Sequence, residues 1–573
     1  MRFLICLSLT VTSCLAQVPA WNQATVSGWW QKYPTPETWG AAGDELRSQL
    51  AGTYEQREAG ALTDSGFQSW LRHWQWVGLG MAAGDWLKND ADREVFVALG
   101  KDARAAHLFA AKISPANQSR KALNILLRLA REQPDDLREY AALGVALALV
   151  FDKPFPKNWP HHQVSRKLVP IGDDDVVARF RFYVEANRKN KLAQDISKLE
   201  FDEVKFVVDS LVSLDELRYG QSNKSSRVNY TNFDQAFPAI QYDEARVGSG
   251  RQQYNWPEKN GAYTLQNIER LGGICTDQAY YAATLGKARG IPTLYFHGQG
   301  TGGGHAWFGF LQRNGKWNLD CGRYVSQNYP VGDAYDPQTW RVLKDALLLT
   351  LARNVSHDEK YAAARTGLAW AAANAGGERE PQILWDTLTV MPELAETWEA
   401  LGDWLDQHEP DAGVRREFYE AWVKQFSANR DWVDLKVDGQ KRLLALLKQT
   451  GDPSAAQLQR DIMMYNRKKR FDLGISAGAS VLFEKLEGKD WQGARVEYER
   501  VVRTFNQQGG GNLYYQIVRP YVQYCLEEKQ AAQARQGLKY ARGRMRLPPD
   551  SILAEEFERL DKAIQSAASA GGE

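Results

Sequence analysis

The chain has 573 residues, 44% hydrophobic and 25% charged, enough apolar material for several cores without disulfide or metal support. Lys and Arg number 71 against 70 Asp and Glu, a balance that excludes a chain-wide affinity for nucleic acid or for an anionic membrane. Twenty Trp and 24 Tyr read as packing between helices.

Arg2 precedes an apolar run, Phe3–Val11, too short to span a bilayer. It predicts a signal peptide over residues 1–16, cleaved after Ala16. The alternative is a lipoprotein signal, with Val11, Thr12 and Ser13 before a lipidated Cys14. Either predicts an extracytoplasmic protein, secreted or periplasmic. No other run is long and apolar enough to span a membrane.

Residues 17–170 predict an N-terminal helical region. Leu137–Phe151 is apolar nearly all round and predicts a buried helix, which Pro154, Pro156 and Pro160 end. Asp173, Asp174 and Asp175 precede Val176, Phe180 and Val184 at helical spacing and read as an N-cap cluster. The stretch 220–262 is polar and glycine-rich, hence loop-like. A short helix then ends at Gly272-Gly273, and a second runs from Cys275 to about Arg289. Gly290-Ile291-Pro292 turns into a strand holding Thr293, Tyr295 and His297, followed by a glycine-rich loop from Gly298 to Gly304. Strands follow at His305–Leu311 and Trp317–Cys321, joined by a turn at Asn314-Gly315. Residues 171–350 thus predict a central domain. Beyond it, 351–565 reads as helical and tetratricopeptide-like. Trp398, Leu401, Gly402 and Leu405 have that spacing; Tyr140, Leu143, Gly144 and Leu147 repeat it, and Ala494, Tyr498 and Val501 fit a second helix. The tail 566–573 reads as disordered.

The five cysteines are Cys6, Cys14, Cys275, Cys321 and Cys525, with no Cys-x-x-Cys pair. That excludes a thiolate zinc site and a disulfide scaffold. Cys275, Ala279, Ala282 and Gly286 share one helix face, and their small size lets a sheet approach. A thiol there sits at a helix N-terminus, where the dipole favours thiolate and free N–H groups stabilise an oxyanion. A thiolate needs a base, and the base an orienting partner. The hairpin puts His305 and Asp320 on one face, with Ala306, Phe308, Phe310, Trp317 and Leu319 on the other. A two-residue Asn314-Gly315 turn sets Asp320 opposite Gly309, roughly 13 Å along the strand from His305. Direct pairing needs a loop centred near Gln312–Arg313, or a bulge. His297 is an alternative base, or a surface residue. Gly298, Gly300 and Gly303 match a dinucleotide fingerprint by letters only, because a strand and not a helix follows. His161-His162 reads as a surface pair, and the Cys321 thiol as facing away from the site.

Gly272-Gly273-Ile274-Cys275, Gly290-Ile291-Pro292, His305-Ala306-Trp307 and the Trp317–Asp320 stretch resemble the transglutaminase-like superfamily in order and spacing. The resemblance covers about residues 264–324. It implies an α+β papain-like core, one helix on an antiparallel sheet, within a mostly α-helical chain. It also implies Cys275 as nucleophile, His305 as base then acid, and Asp320 as orienter. Departures are Thr293 and Cys321; Trp256 and Gln266 are candidate oxyanion donors. The implied function is a cysteine acyl-transfer enzyme acting on amide bonds of a peptide or protein substrate. Peptidase or amidase activity is expected over crosslinking, with no metal or organic cofactor. The alternative is a non-catalytic scaffold with a relic core, its helical regions holding protein partners.

Overall fold

The computed structural model describes residues 17–172, 175–223, 228–243, 256–348, 359–545, 547 and 551–570. The expected signal segment and the lipidation alternative at Cys14 lie outside them. The described residues form two compact units, each assembled from two separate stretches. One takes its residues from Met1–Asp152 and Asn354–His408, the other from Lys153–Arg353 and Glu409–Glu573. The contiguous blocks expected at 17–170, 171–350 and 351–565 are therefore not the units in which the chain packs. No described helix is long and apolar enough to cross a membrane.

The first unit is helical, and aromatic rings fill its interior. Trp30, Trp39, Trp70, Trp76 and Trp370 are fully buried. Two glycines make room for them: a Cβ at Gly100 would lie 2.4 Å from the Trp30 ring, and one at Gly80 2.7 Å from Trp39. The expected helix over Leu137–Phe151 is two, Pro134–Glu139 and Ala141–Val150, interrupted at Tyr140. Every residue from Leu143 to Val150 is buried, as the unbroken apolar run requires. Helix Ala395–His408 buries Trp398, Leu401, Gly402 and Leu405, the residues with repeat-like spacing.

The second unit holds α1 (Val176–Arg188), α2 (Phe201–Val208), α3 (Leu214–Ser222), α4 (Leu265–Leu271) and α5 (Cys275–Ala288). They accompany an antiparallel sheet of β1 (Thr293–Gly300), β2 (Gly303–Leu311), β3 (Trp317–Cys321), β4 (Asp333–Tyr335) and β5 (Val342–Lys344). Strand order is β3-β2-β1-β4-β5. Asp175 caps α1 by accepting from Val177 N–H at 2.6 Å; Asp173 and Asp174 lie outside the described residues. At three residues each, β4 and β5 are too short to show period-2 patterning, which is why the sequence signals only three strands.

The glycine-rich stretch Gly298–Gly304 is not a loop but the end of a hairpin, with Gly300 paired to Gly303 across Thr301-Gly302. Helices from Glu409–Glu573 complete this unit. A Cβ at Gly510 would lie 2.2 Å from the Gly300 carbonyl oxygen, so only glycine fits there, and Asn512 Nδ2 donates to Gln299 O at 2.8 Å. Trp491–Phe505 buries Ala494, Tyr498 and Val501, as their spacing predicts. Helix Ile552–Ala570 runs through Ser566, so the tail expected to be disordered is helical up to Ala570.

Candidate active site

Helix α5 begins where the chain is most constrained. Gly272 ends α4 with φ +68°, and a Cβ there would lie 2.5 Å from Gln241 O. A Cβ on Gly273 would lie 2.4 Å from Asp277. The two glycines thus admit the 241–243 backbone and the Asp277 carboxylate, and Cys275 becomes the first residue of the helix.

Asp277 is fully buried, yet its carboxylate is satisfied. Oδ2 accepts from Ile274 N–H at 2.9 Å and Oδ1 from the Tyr263 hydroxyl at 2.8 Å. The Tyr263 oxygen lies 2.8 Å from His161 Nε2, and His161 Nδ1 accepts from Gln163 N–H at 3.3 Å. The donors fix one direction: Gln163 N–H to His161 Nδ1, His161 Nε2–H to Tyr263, Tyr263 O–H to Asp277. Burial holds His161 neutral, its imidazole lowered to about 3. His161 is therefore an interior residue fastening the 161–163 loop to the start of α5, which corrects the surface reading; His162 alone is exposed.

The Cys275 thiol is half-buried against β2, close enough to the Ala306 amide for that N–H to favour the thiolate. Burial nevertheless raises it to about 11, and the Asp277 charge adds to that. The phenols of Tyr295, Tyr324 and Tyr329 lie within electrostatic reach of the sulfur. Thr276 Oγ1 donates to Gln163 Oε1 at 2.8 Å, which leaves the Gln163 Nε2 amide unused among the described residues. Gln163 is thus an oxyanion-donor candidate that the sequence did not signal. Trp256 Nε1 is committed to Gly261 O at 3.1 Å, and Gln266 is exposed on α4.

His305 is the residue before Ala306, so the thiol and the imidazole approach the same stretch of β2. No hydrogen bond joins them. The ring stacks on Tyr324, Tyr329 and Trp307, with centroids 4.4, 5.2 and 5.9 Å away. Burial lowers its basicity, and the hydrogen bond to Gly322 partly restores it. That bond runs from Nε2 to the Gly322 carbonyl oxygen at 2.7 Å. The imidazole is therefore oriented by a backbone carbonyl, not by Asp320.

The hairpin register explains why. Gln312 N–H donates to Lys316 O and Gly315 has φ +75°, so the loop has three residues, Arg313-Asn314-Gly315. Leu311 pairs with Trp317 and Phe310 with Asn318, but Phe308 pairs with Cys321. Leu319 and Asp320 thus share one place opposite Gly309, a β-bulge. A Cβ on Gly309 would lie 2.9 Å from Leu319 Cδ2 and from Phe296 Cε2, so the bulge needs glycine there. The longer loop and the bulge cancel, and Asp320 sits where a two-residue turn would have put it. Its carboxylate is 68% exposed and pairs with Arg323 at 2.8 Å. Gly322, with φ +89° and no room for a Cβ against the Phe237 ring at 2.7 Å, turns its carbonyl to His305 instead.

His297 lies on β1 opposite Ala306 and pairs electrostatically with Asp333 on β4, away from the β2 edge that meets Cys275. Cys275, Cys321 and Cys525 are free thiols. Among the described residues no group of three or more His, Cys, Asp or Glu side chains has the geometry to hold a metal ion. Searches of the chain against protein-family models, curated proteins and solved structures find no match.

Proposed function

We propose that this chain is an exported cysteine acyl-transfer enzyme acting on amide bonds, with Cys275 as nucleophile and His305 as base and then acid. The single observation that carries the reading is the Cys275 sulfur, at the first turn of a packed helix, lying beside the Ala306 amide next to His305. Sγ adds to the amide carbonyl as its proton passes to His305. The oxyanion faces the Cys275 and Thr276 amides, with Gln163 Nε2 as the side-chain donor. His305 returns the proton to the leaving nitrogen, the C–N bond breaks, and a thioester remains. Water then attacks the thioester, His305 takes its proton, and the acid leaves as the thiolate is reprotonated. Hydrolysis is preferred to transfer onto an amine because the cavity beside Gly322 opens to solvent and its mixed wall includes Asp234, Gln235, Asn318 and Asp320, which admits water.

One observation favours the scaffold reading: the thiol is raised to about 11 and has no imidazole partner at rest. The test incubates the full chain with a peptide library, and separately with a glutamine peptide and a tagged primary amine. Cleavage that disappears in Cys275→Ala, with unchanged folding, is the expected result. Amine incorporation without cleavage would make the enzyme a crosslinker. Neither product would favour the scaffold.

A further inference from the structure

A cavity of about 380 Å³ opens immediately beside the candidate active site, with Gln278, Gly322 and Tyr324 in its lining. Gln278 lies one helical turn from Cys275, Gly322 supplies the carbonyl on His305, and Tyr324 stacks on the His305 ring. The remaining wall carries two carboxylates from separate elements, Asp234 from the 3-10 helix Tyr230–Ala236 and Asp320 from β3. Burial raises the Cys321 thiol and both carboxylates add to that, so each lies within electrostatic reach of the same part of the wall.

The cations nearby leave the field there negative. Arg323 pairs with Asp320 but shares its one charge with Asp345, at 2.8 Å each. Asp234 bonds to a neutral amide, Gln235 Nε2, at 2.8 Å. An independent feature points to a missing donor. Gln278 is 4% exposed; its Nε2 is committed to Ile240 O at 2.7 Å, and its Oε1 has no partner. A buried amide oxygen without a donor costs on the order of 1–3 kcal/mol, which a hydrogen-bonding ligand would relieve. Asn318 supplies a further amide on the same wall.

We infer that this cavity is a subsite for a basic side chain of the peptide substrate, its cationic head set between Asp234 and Asp320 with an N–H directed to Gln278 Oε1. The inference rests on the acyl-transfer reading only for the peptide's fate, because binding needs neither thiol nor imidazole. The volume accommodates a Lys or Arg side chain, and the donors of either head match acceptors that no protein cation fully occupies.

The test is a fluorescence-anisotropy titration of the full-length protein with a labelled, end-capped Gly-Gly-Lys-Gly-Gly peptide and its norleucine counterpart. The lysine peptide is expected to bind at least tenfold more tightly. Asp234→Asn is expected to reduce that preference about fivefold while the iodoacetamide reaction of Cys275 stays within twofold of wild type. Added salt is expected to weaken the lysine peptide alone. Cadaverine serves as a free-amine competitor. Competition at lysine-peptide affinity would keep the cation subsite and assign it to an acyl-acceptor amine. Equal binding of the two peptides, or none, would overturn the subsite. Selective binding with no reaction at Cys275 would overturn the nucleophile and leave the subsite standing.

Discussion

Cys275 and His305 both rest uncharged at neutral pH, since burial raises the thiol to about 11 and lowers the imidazole from its usual range. The thiolate fraction then climbs about tenfold for each pH unit below 11. Iodoacetamide alkylation of Cys275 is expected to follow that slope from pH 7 to about 10, read by mass mapping of the labelled peptide. A rate already flat at pH 7 would mean a standing thiolate–imidazolium pair and would refute this account. Asp320 lies exposed against Arg323, so Asp320→Asn is expected to leave kcat within about threefold. A loss approaching the 10⁴ that a triad carboxylate commands would restore it as the orienter of His305. The position of Cys275 at the start of a packed helix was legible because helix-terminal glycines and a small-residue face are local signals. The orienter was not. It is a main-chain carbonyl, and a carbonyl has no letter in the sequence.

Helix α5 is anchored at its far end by an ion pair with little access to water. Lys287 Nζ meets the Asp209 carboxylate beyond α2 and donates to Phe206 O and Thr293 O at 2.8 Å each. It ties the end of α2 to the start of β1 behind the helix that carries Cys275. Burial shifts both partners towards neutrality, raising Asp209 to about 6 and lowering Lys287. Removing one partner strands the other, so Lys287→Met is expected to cost about 3–5 kcal/mol in chemical denaturation. Lys287→Met with Asp209→Leu should recover most of it; a double variant as weak as the single one would assign the loss to packing instead. Element identity was readable wherever periodicity ran long enough, as in α5 and the first three strands. The sheet's outer strands and the bulge at Asp320 were not, because each depends on tertiary contacts made by two or three residues. Gly309 is an example: its letter permits a bulge, but only the Leu319 and Phe296 side chains around it require one.

Across the whole molecule, three interior histidines couple stability to pH. His73, His107 and His161 are each lowered to about 3, chiefly by burial. Below about 6.5 the unfolded chain takes up protons that the folded chain refuses, so stability is lost as pH falls towards 3 and is unaffected above 6.5. Each histidine contributes a slope of about 1.4 kcal/mol per pH unit in that window. Asp209, raised to about 6, works in the opposite direction down to its ordinary range and partly offsets His161 in the second unit. The first unit is thus expected to soften first. The rings of Trp21, Trp29, Trp30 and Trp70 surround His73, so tryptophan fluorescence should report it as a urea midpoint that drops between pH 6.5 and 5. A midpoint constant over that range would show that these imidazoles are protonated in the folded state. The interleaving of the two units has a further consequence, for the order in which the chain is made. A ribosome releasing residues in sequence delivers Met1–Asp152 first, but their partner stretch Asn354–His408 emerges only after some 200 residues of the other unit. That second unit waits in turn for the Gly510–Asn512 segment that closes on the Gly300 hairpin. The first unit can close only once His408 has emerged, and the second only near the end of translation, so apolar surface of the first stays uncovered through the making of some 200 residues and that of the second until translation is nearly over. That interval is when a holding chaperone would have the most to grip.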